Sequence, residues 1–435
     1  MPEQTRILFV LDASGSMRAE WEGRQRIEIA KKILTDLVDS LRANKNLQLG
    51  LRVYGHQYDY KQNNCTDSKL EVGFGKETHN QIIVKLNQLV PQGTTPMAYS
   101  MEKATEDFPA ADGYRNILIM ITDGKEECKG DPCAISKNLQ KRGIFLRPFV
   151  VGLGIPPQYE KDFACMGKFY NAQTVSQFKG FLGEIMNQAL GKTTVSVELL
   201  DINELPKEKD INISFVNRVT GETVYDYVHY RDNTGKTDTL KVDAILTYDI
   251  IANTIPRTIA ENISFEGGKH NVVKLKVPQG TLQFDFPGYT QYNTELSAII
   301  RESGKSKTLV YQKIKLPQRY LVGKYDIEIP TLPISYVSVE IKADQITRVS
   351  IPAPGVLNIN NPRLLGFGSI YHITPENEHL WIMNFEGKEA KQNITLQPGT
   401  YKVVFRAEDA YGSEYTIVKK VKIESGTSVT LNLIN

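Results

Sequence analysis

The sequence predicts an α/β domain of the doubly wound, Rossmann-like type over residues 1–191, followed by all-β sandwich modules. Two changes of grammar lead to this reading. Before Gly191, apolar runs that suit strands buried on both faces alternate with helix-period stretches. After it, helical periodicity gives way to short alternating runs broken by Gly, Pro and Asn. A third observation divides the second half. Tyr248, Tyr325 and Tyr401 recur at intervals of 77 and then 76 residues, each within a similar strand-like run: TYDIIA, KYDIEI and TYKVVF.

The first strand is Ile7–Leu11, continuously apolar. Residues 26–43 carry Ile27, Ala30, Ile33, Leu34, Leu37, Val38 and Leu41 at helical spacing. LQLGLRVYGH alternates as a strand, and LEVGFG is a short strand bounded by glycine, a candidate edge. Helices are expected around 79–89 and 97–107, then a second buried strand in NILIMITDG. A helix near 133–142, the strand FLRPFVVGLG, a short helix near 159–166 and KFYNA complete the alternation. Beyond it, GTLQF at 280–284 matches GVLNI at 355–359. This places Ig-like or transthyretin-like modules at 193–279, 280–354 and 355–435. Their repeated units supply their own apolar faces, so the β region is expected to fold without residues before about 193.

At 435 residues the chain is too long for one ordinary core. With 23% charged and 41% apolar residues it is globular in composition. A net charge of +2 offers no bulk attraction to nucleic acid or to an anionic membrane, so neither is expected as a partner. No apolar run is long enough for a bilayer. Strand-like residues begin almost at once, with no leader ahead of them. That leaves a cytoplasmic protein, or a mature or truncated form with an added Met1.

The chemistry lies at the strand ends. In an open α/β sheet, ligands bind beyond the carboxyl ends of the strands. FVLDASGSM delivers Asp12 there, followed by Ser14 and Ser16 in a turn. MITDG delivers Asp123 to the same rim, and GTTPM offers Thr94 and Thr95 ahead of another helix. Two carboxylates with several hydroxyls form a hard-oxygen set suited to Mg²⁺, Mn²⁺ or Ca²⁺ rather than zinc or copper.

This D-x-S-x-S, G-x-T-P and T-D-G series resembles the metal-ion-dependent adhesion site of the von Willebrand factor A domain, over roughly residues 5–190. The resemblance implies a metal set of Asp12, Ser14, Ser16, Thr95 and Asp123, with Thr95 preferred to Thr94. It also implies a free coordination position for a partner protein's Asp or Glu carboxylate. YGH, DGKEECKGDPC and the GTTP loop look most like bacterial envelope and secreted members of the family. The expected location is therefore periplasmic, cell-surface or secreted.

The cysteines bear on the same question. CKGDPC sets Cys128 and Cys133 around a Gly-Asp-Pro turn able to bring two sulfurs within reach, against the alternative of four unrelated thiols. A local Cys128–Cys133 bridge is expected, with Cys65 and Cys165 paired together or left as thiols. No second close Cys or His pair completes a zinc set.

Trp21, between the metal loop and the first helix, and Tyr58, in YGHQYDYKQNN, are candidate partner contacts. The alternative for each is packing within its own loop. His56 is a weak candidate ligand. No GxSxG, HExxH or phosphate-binding glycine loop appears. A haloacid dehalogenase-like hydrolase requires an acid two residues after the first Asp, where this chain has Ser14. The resulting expectation is a non-enzymatic, divalent-metal-dependent protein-binding protein. The alternative is a structural subunit of an envelope assembly with metal-independent docking.

Overall fold

The computed structural model describes residues 4–110, 113–142, 148–285, 296–360, 365–386 and 391–433. The N-terminal strands are β1 (Gln4–Asp12), β2 (Leu47–Tyr54), β3 (Ser68–Gly75), β4 (Tyr114–Thr122), β5 (Phe149–Leu153) and β6 (Lys168–Ala172). They form a six-stranded sheet in the order β3-β2-β1-β4-β5-β6. All neighbours are parallel except β3, which runs antiparallel at the edge, where its short glycine-bounded run had placed it. The expected strand FLRPFVVGLG begins among residues outside those described, and β5 is its second part.

Helices α1 (Arg26–Ser40), α2 (His79–Gln88), α3 (Met97–Asp107), α4 (Pro132–Lys141), α5 (Glu160–Ala164) and α6 (Val175–Leu190) cover the sheet. The pleat of β1 sorts the two layers. Ile7, Phe9 and Leu11 share a core with Leu34 of α1, Ile82 of α2 and Phe178 of α6. Leu8 and Val10 share another with Met101 of α3 and Leu139 of α4. Residues Ile7 to Leu11 have no solvent exposure, which is why the strand reads as an unbroken apolar run.

Apart from a two-stranded ribbon of Glu20–Trp21 and Arg24–Gln25, the remaining sheets among the described residues come in pairs of one four-stranded and one three-stranded sheet. In the first pair, strands Thr223–Val228, Asn212–Asn217, Thr247–Ala252 and Thr258–Ser264 lie side by side. The companion sheet holds Leu240–Lys241, Thr194–Leu200 and His270–Lys276. The second pair is built from strands between Gln279 and Ser350, and the third from strands between Gly355 and Asn432. Each repeated tyrosine closes a corner: Tyr248 donates to Asp243 O (3.0 Å), Tyr325 to Leu321 O (2.8 Å) and Tyr401 to Gln397 O (2.6 Å).

By compactness the chain divides into Met1–Glu198, Ile213–Ile251 and Ile259–Lys274 as one unit, and Leu199–Asn212, Ala252–Thr258 and Leu275–Asn435 as the other. Most of the first β module thus belongs with the α/β domain. Within that unit Ile245 lies in the same core as Phe9 and Leu34. The Arg115 guanidinium, at the start of β4, pairs with Asp243 and bonds the Ala189 and Gln188 carbonyls at the end of α6.

In the other unit, two loops act alike. Ile255 packs on the core of the second sheet pair, and its carbonyl accepts from Leu321 N (2.8 Å). Leu332 packs on the core of the third, and its carbonyl accepts from Gln397 N (2.7 Å). Thr254 and Thr331, each one residue earlier, close these loops through their hydroxyls on Pro256 O and Pro333 O (both 2.6 Å).

Two disulfides are present, Cys65–Cys128 and Cys133–Cys165, with Cα separations of 5.5 and 5.3 Å. The expected Cys128–Cys133 bridge is therefore incorrect. The Gly-Asp-Pro turn starts a helix instead of closing on itself. Asp131 caps α4 by accepting from Ala134 N, and Pro132 takes the first helical position. Cys133 consequently lies in the first turn of α4 and meets Cys165 just beyond α5. Cys128 stays in the rim loop and meets Cys65.

Candidate metal centre

Three loops meet at the carboxyl edge of the central strands. The loop after β1 and the GTTP loop are joined by backbone hydrogen bonds, Gly15 N to Gly93 O (2.9 Å) and Gln92 N to Ala13 O (3.1 Å). Gly55, after β2, lies so close beneath them that a Cβ would sit 2.6 Å from Thr94 O and 2.8 Å from Ser14 Cα; its φ is +69°. Only glycine satisfies both conditions.

Asp12 is fully buried. Its Oδ1 accepts from Ser14 N (2.8 Å) and its Oδ2 from the Thr122 hydroxyl (2.7 Å). The Ser14 and Ser16 hydroxyls are 3.0 Å apart, and Ser16 Oγ donates to Asp123 Oδ1 (2.7 Å). Thr95 joins them from the third loop: a Cβ on Gly124 would stand 3.9 Å from Thr95 Oγ1 and 3.7 Å from Ser16 Oγ. The Thr94 hydroxyl is turned away onto Asn64 O (2.9 Å). The five residues singled out in the sequence thus converge on one spot.

Burial, then the nearby charge of Asp123, pushes the Asp12 carboxyl up to about 7, against the hydrogen bonds from Ser14 and Thr122 that favour its charged form. With Asp12 fully buried, the added negative charge of Asp123 favours a cation beside them. The donors fit a hard divalent ion, being carboxylate and hydroxyl oxygens with no sulfur or imidazole. Among the described residues no group of three or more His, Cys, Asp or Glu side chains is placed to hold a metal, and this rim offers two carboxylates with hydroxyls instead.

Several participants were not singled out in the sequence. Arg26, the first residue of α1, donates from Nη1 to Asp123 Oδ2 at 2.8 Å. Glu127 accepts from Thr95 N (3.1 Å). Glu126 accepts from Ala98 N (2.6 Å) in the first turn of α3 and from Cys128 N (2.7 Å). The Cys65–Cys128 disulfide ties this loop to the 56–67 loop. That loop is itself held by buried Asp67, which accepts from Gln57 N and Tyr58 N.

Trp21 is buried, which is the packing alternative and not the partner contact. It is 9% exposed, packs in the core of α1 and β1, and donates from Nε1 to Gln173 O (3.2 Å). The left-handed residues Glu22 and Gly23 turn a short hairpin that brings the indole inward. Tyr58 is exposed, whereas His56 turns away to Glu71 on β3 (3.1 Å).

A family model for the von Willebrand factor type A domain matches residues 7–188. These residues are a von Willebrand factor type A domain. A relative from Bacillus subtilis (strain 168), Uncharacterized protein YwmD, is 28% identical over 186 residues, which cover 40% of this chain and 82% of that protein. Among solved structures, BatB from Bacteroides thetaiotaomicron is 21% identical, with a TM-score of 0.34, over 42% of this chain and 97% of its own. The pilus adhesin SpaC from Lactobacillus rhamnosus GG is 9% identical, with a TM-score of 0.37, over 99% of this chain and 87% of its own. The matched segment of the A domain runs from the first buried strand into α6 and contains the whole rim.

Proposed function

We propose that the chain is a non-enzymatic protein-binding protein that works outside the cytoplasm. Its A domain holds Mg²⁺, or Mn²⁺ or Ca²⁺, and presents it to a carboxylate of a partner protein. The observation that carries this reading is the convergence of Asp12 and Asp123 with the Ser14, Ser16 and Thr95 hydroxyls. Neutral hydroxyls dilute the negative charge around a bound ion and leave it electrophilic, as reception of an incoming carboxylate requires. Asp12, Ser14, Ser16, Thr95 and Asp123 would hold the ion, directly or through water. Exposed Tyr58 borders the rim and is the aromatic best placed to touch the partner. The two disulfides support an oxidising compartment: the periplasm, the cell surface or the medium.

A second reading, a docking block that needs no metal, draws support from Arg26, which already supplies a cation to Asp123. Calorimetry with Mg²⁺ and Mn²⁺ separates the two. One site in the wild-type chain, lost in Asp12→Ala, supports the first reading. No binding, or equal binding in both proteins, supports the second.

A further inference from the structure

We propose that the exposed face of the third module's four-stranded sheet binds an acidic polysaccharide. The strands are His379–Glu386, Gly366–Ile373, Gly399–Ala407 and Ile417–Ile423, in that order. Their register sets Trp381 opposite Tyr371, Tyr371 opposite Lys402, and Lys402 opposite Lys420. One row across the sheet therefore carries two aromatic rings and then two ammonium groups. It spans three strand spacings, roughly 14 Å, enough for a short run of pyranose rings.

The side chains are arranged to present this row. Trp381 is 59% exposed, yet its indole N–H is tied to Asn384 Oδ1 (3.0 Å) on its own strand. The same oxygen accepts from Ser369 Oγ (2.8 Å), which fixes the amide so that both of its N–H donors are left out of these bonds. Lys402 Nζ lies 4.5 Å from the centre of the Tyr371 ring and donates to His379 Nδ1 (2.9 Å), using one of its three N–H bonds there. The exposed Trp381 ring stacks on the C–H face of a sugar, the amide serves hydroxyls, and the ammonium groups serve carboxylates.

The chain supplies its own comparison. The residue after each corner tyrosine is Asp249, Asp326 and Lys402 in the three modules. Asp249 accepts from Arg218 (2.6 Å), and Asp326 from Ser338 (2.7 Å) and Gly304 N (2.9 Å), so those positions are satisfied within their own modules. Only the third module replaces the acid with a cation set between an aromatic ring and a second lysine. The Asn384 amide serves sugar hydroxyls, and the disulfides support an oxidising compartment outside the cytoplasm. Both favour a sugar polymer over a single strand, which also stacks on aromatic rings.

The test uses the full chain at low salt, with polygalacturonate as probe. Affinity electrophoresis and tryptophan fluorescence are read together; Trp21 is buried, so Trp381 dominates quenching by iodide. Retardation by polygalacturonate and protection of Trp381 are expected. Trp381→Ala and Lys402→Asp, both on the surface, should each weaken binding roughly tenfold or more. The proposal is overturned by absence of retardation, by undiminished binding in either variant, by equal retardation in neutral dextran, or by tighter binding of a single-stranded oligonucleotide.

Discussion

Arg115→Leu should destabilise the α/β domain and the first β module together. The pair it breaks is enclosed, with 11% of the Arg115 side chain and 8% of the Asp243 side chain exposed. Removing one partner leaves the other charge buried, at a cost of about 3–5 kcal/mol. Asp243 keeps the hydrogen bond from Ile245 N (2.9 Å), which argues for the lower end, about 3 kcal/mol. The variant also strips a cation from the Ala189 and Gln188 carbonyls at the end of α6, where a positive charge complements the helix dipole. In a unit of this size the melting temperature should fall by roughly 6–12 °C. Asp243→Asn on top of Arg115→Leu removes the stranded charge and should recover at least about 1 kcal/mol. Scanning calorimetry and urea unfolding followed by circular dichroism read both effects. A loss below about 1 kcal/mol would refute the reasoning. It would leave standing the expectation that residues from about 193 onward fold without the A domain.

Two further outcomes follow from the rim and the sheet edge. Arg26→Met should strengthen Mg²⁺ binding about fivefold or more, since a unit charge beside Asp123 no longer opposes the ion; unchanged or weaker binding by calorimetry would contradict this. Glu71 would be raised by its burial, but hydrogen bonds from His56, Lys85 and Lys69 hold its carboxyl down at about 2. Its contribution to stability is thus complete above the ordinary carboxylate value of 4.5 and is lost as the pH falls from there toward 2. Glu71→Gln should flatten the acid limb of the stability profile, and identical slopes in wild type and variant would count against the cluster.

The parts of this protein legible in its sequence are those set by local periodicity. Ile7–Leu11 announces a strand covered on both faces because nothing polar interrupts it. Asp12, Ser14, Ser16, Thr95 and Asp123 share an edge because the ends of parallel strands and the turns beside them do. Contacts made across the fold were not legible. Cys133 pairs with Cys165 because α4 and α5 bring their ends together, a matter of helix placement and not of spacing. Arg26 did leave a trace, since an arginine at the first position of a helix opposes the dipole and needs a reason; Asp123 is that reason. The change of period at Gly191 marks a change of architecture, but Ile245 and Arg115 carry packing across it.

The Thr331–Pro333 loop has a mechanical meaning. A hinge is a place where a chain can rotate without uncovering anything. Leu332 belongs by connectivity to the second sheet pair and by packing to the core of the third, with its carbonyl held by Gln397 N. Turning one module on the other would draw that side chain out of its socket and break the hydrogen bond in the same movement. Rotation at this joint therefore carries a cost in both apolar burial and hydrogen bonding, which a plain linker would not.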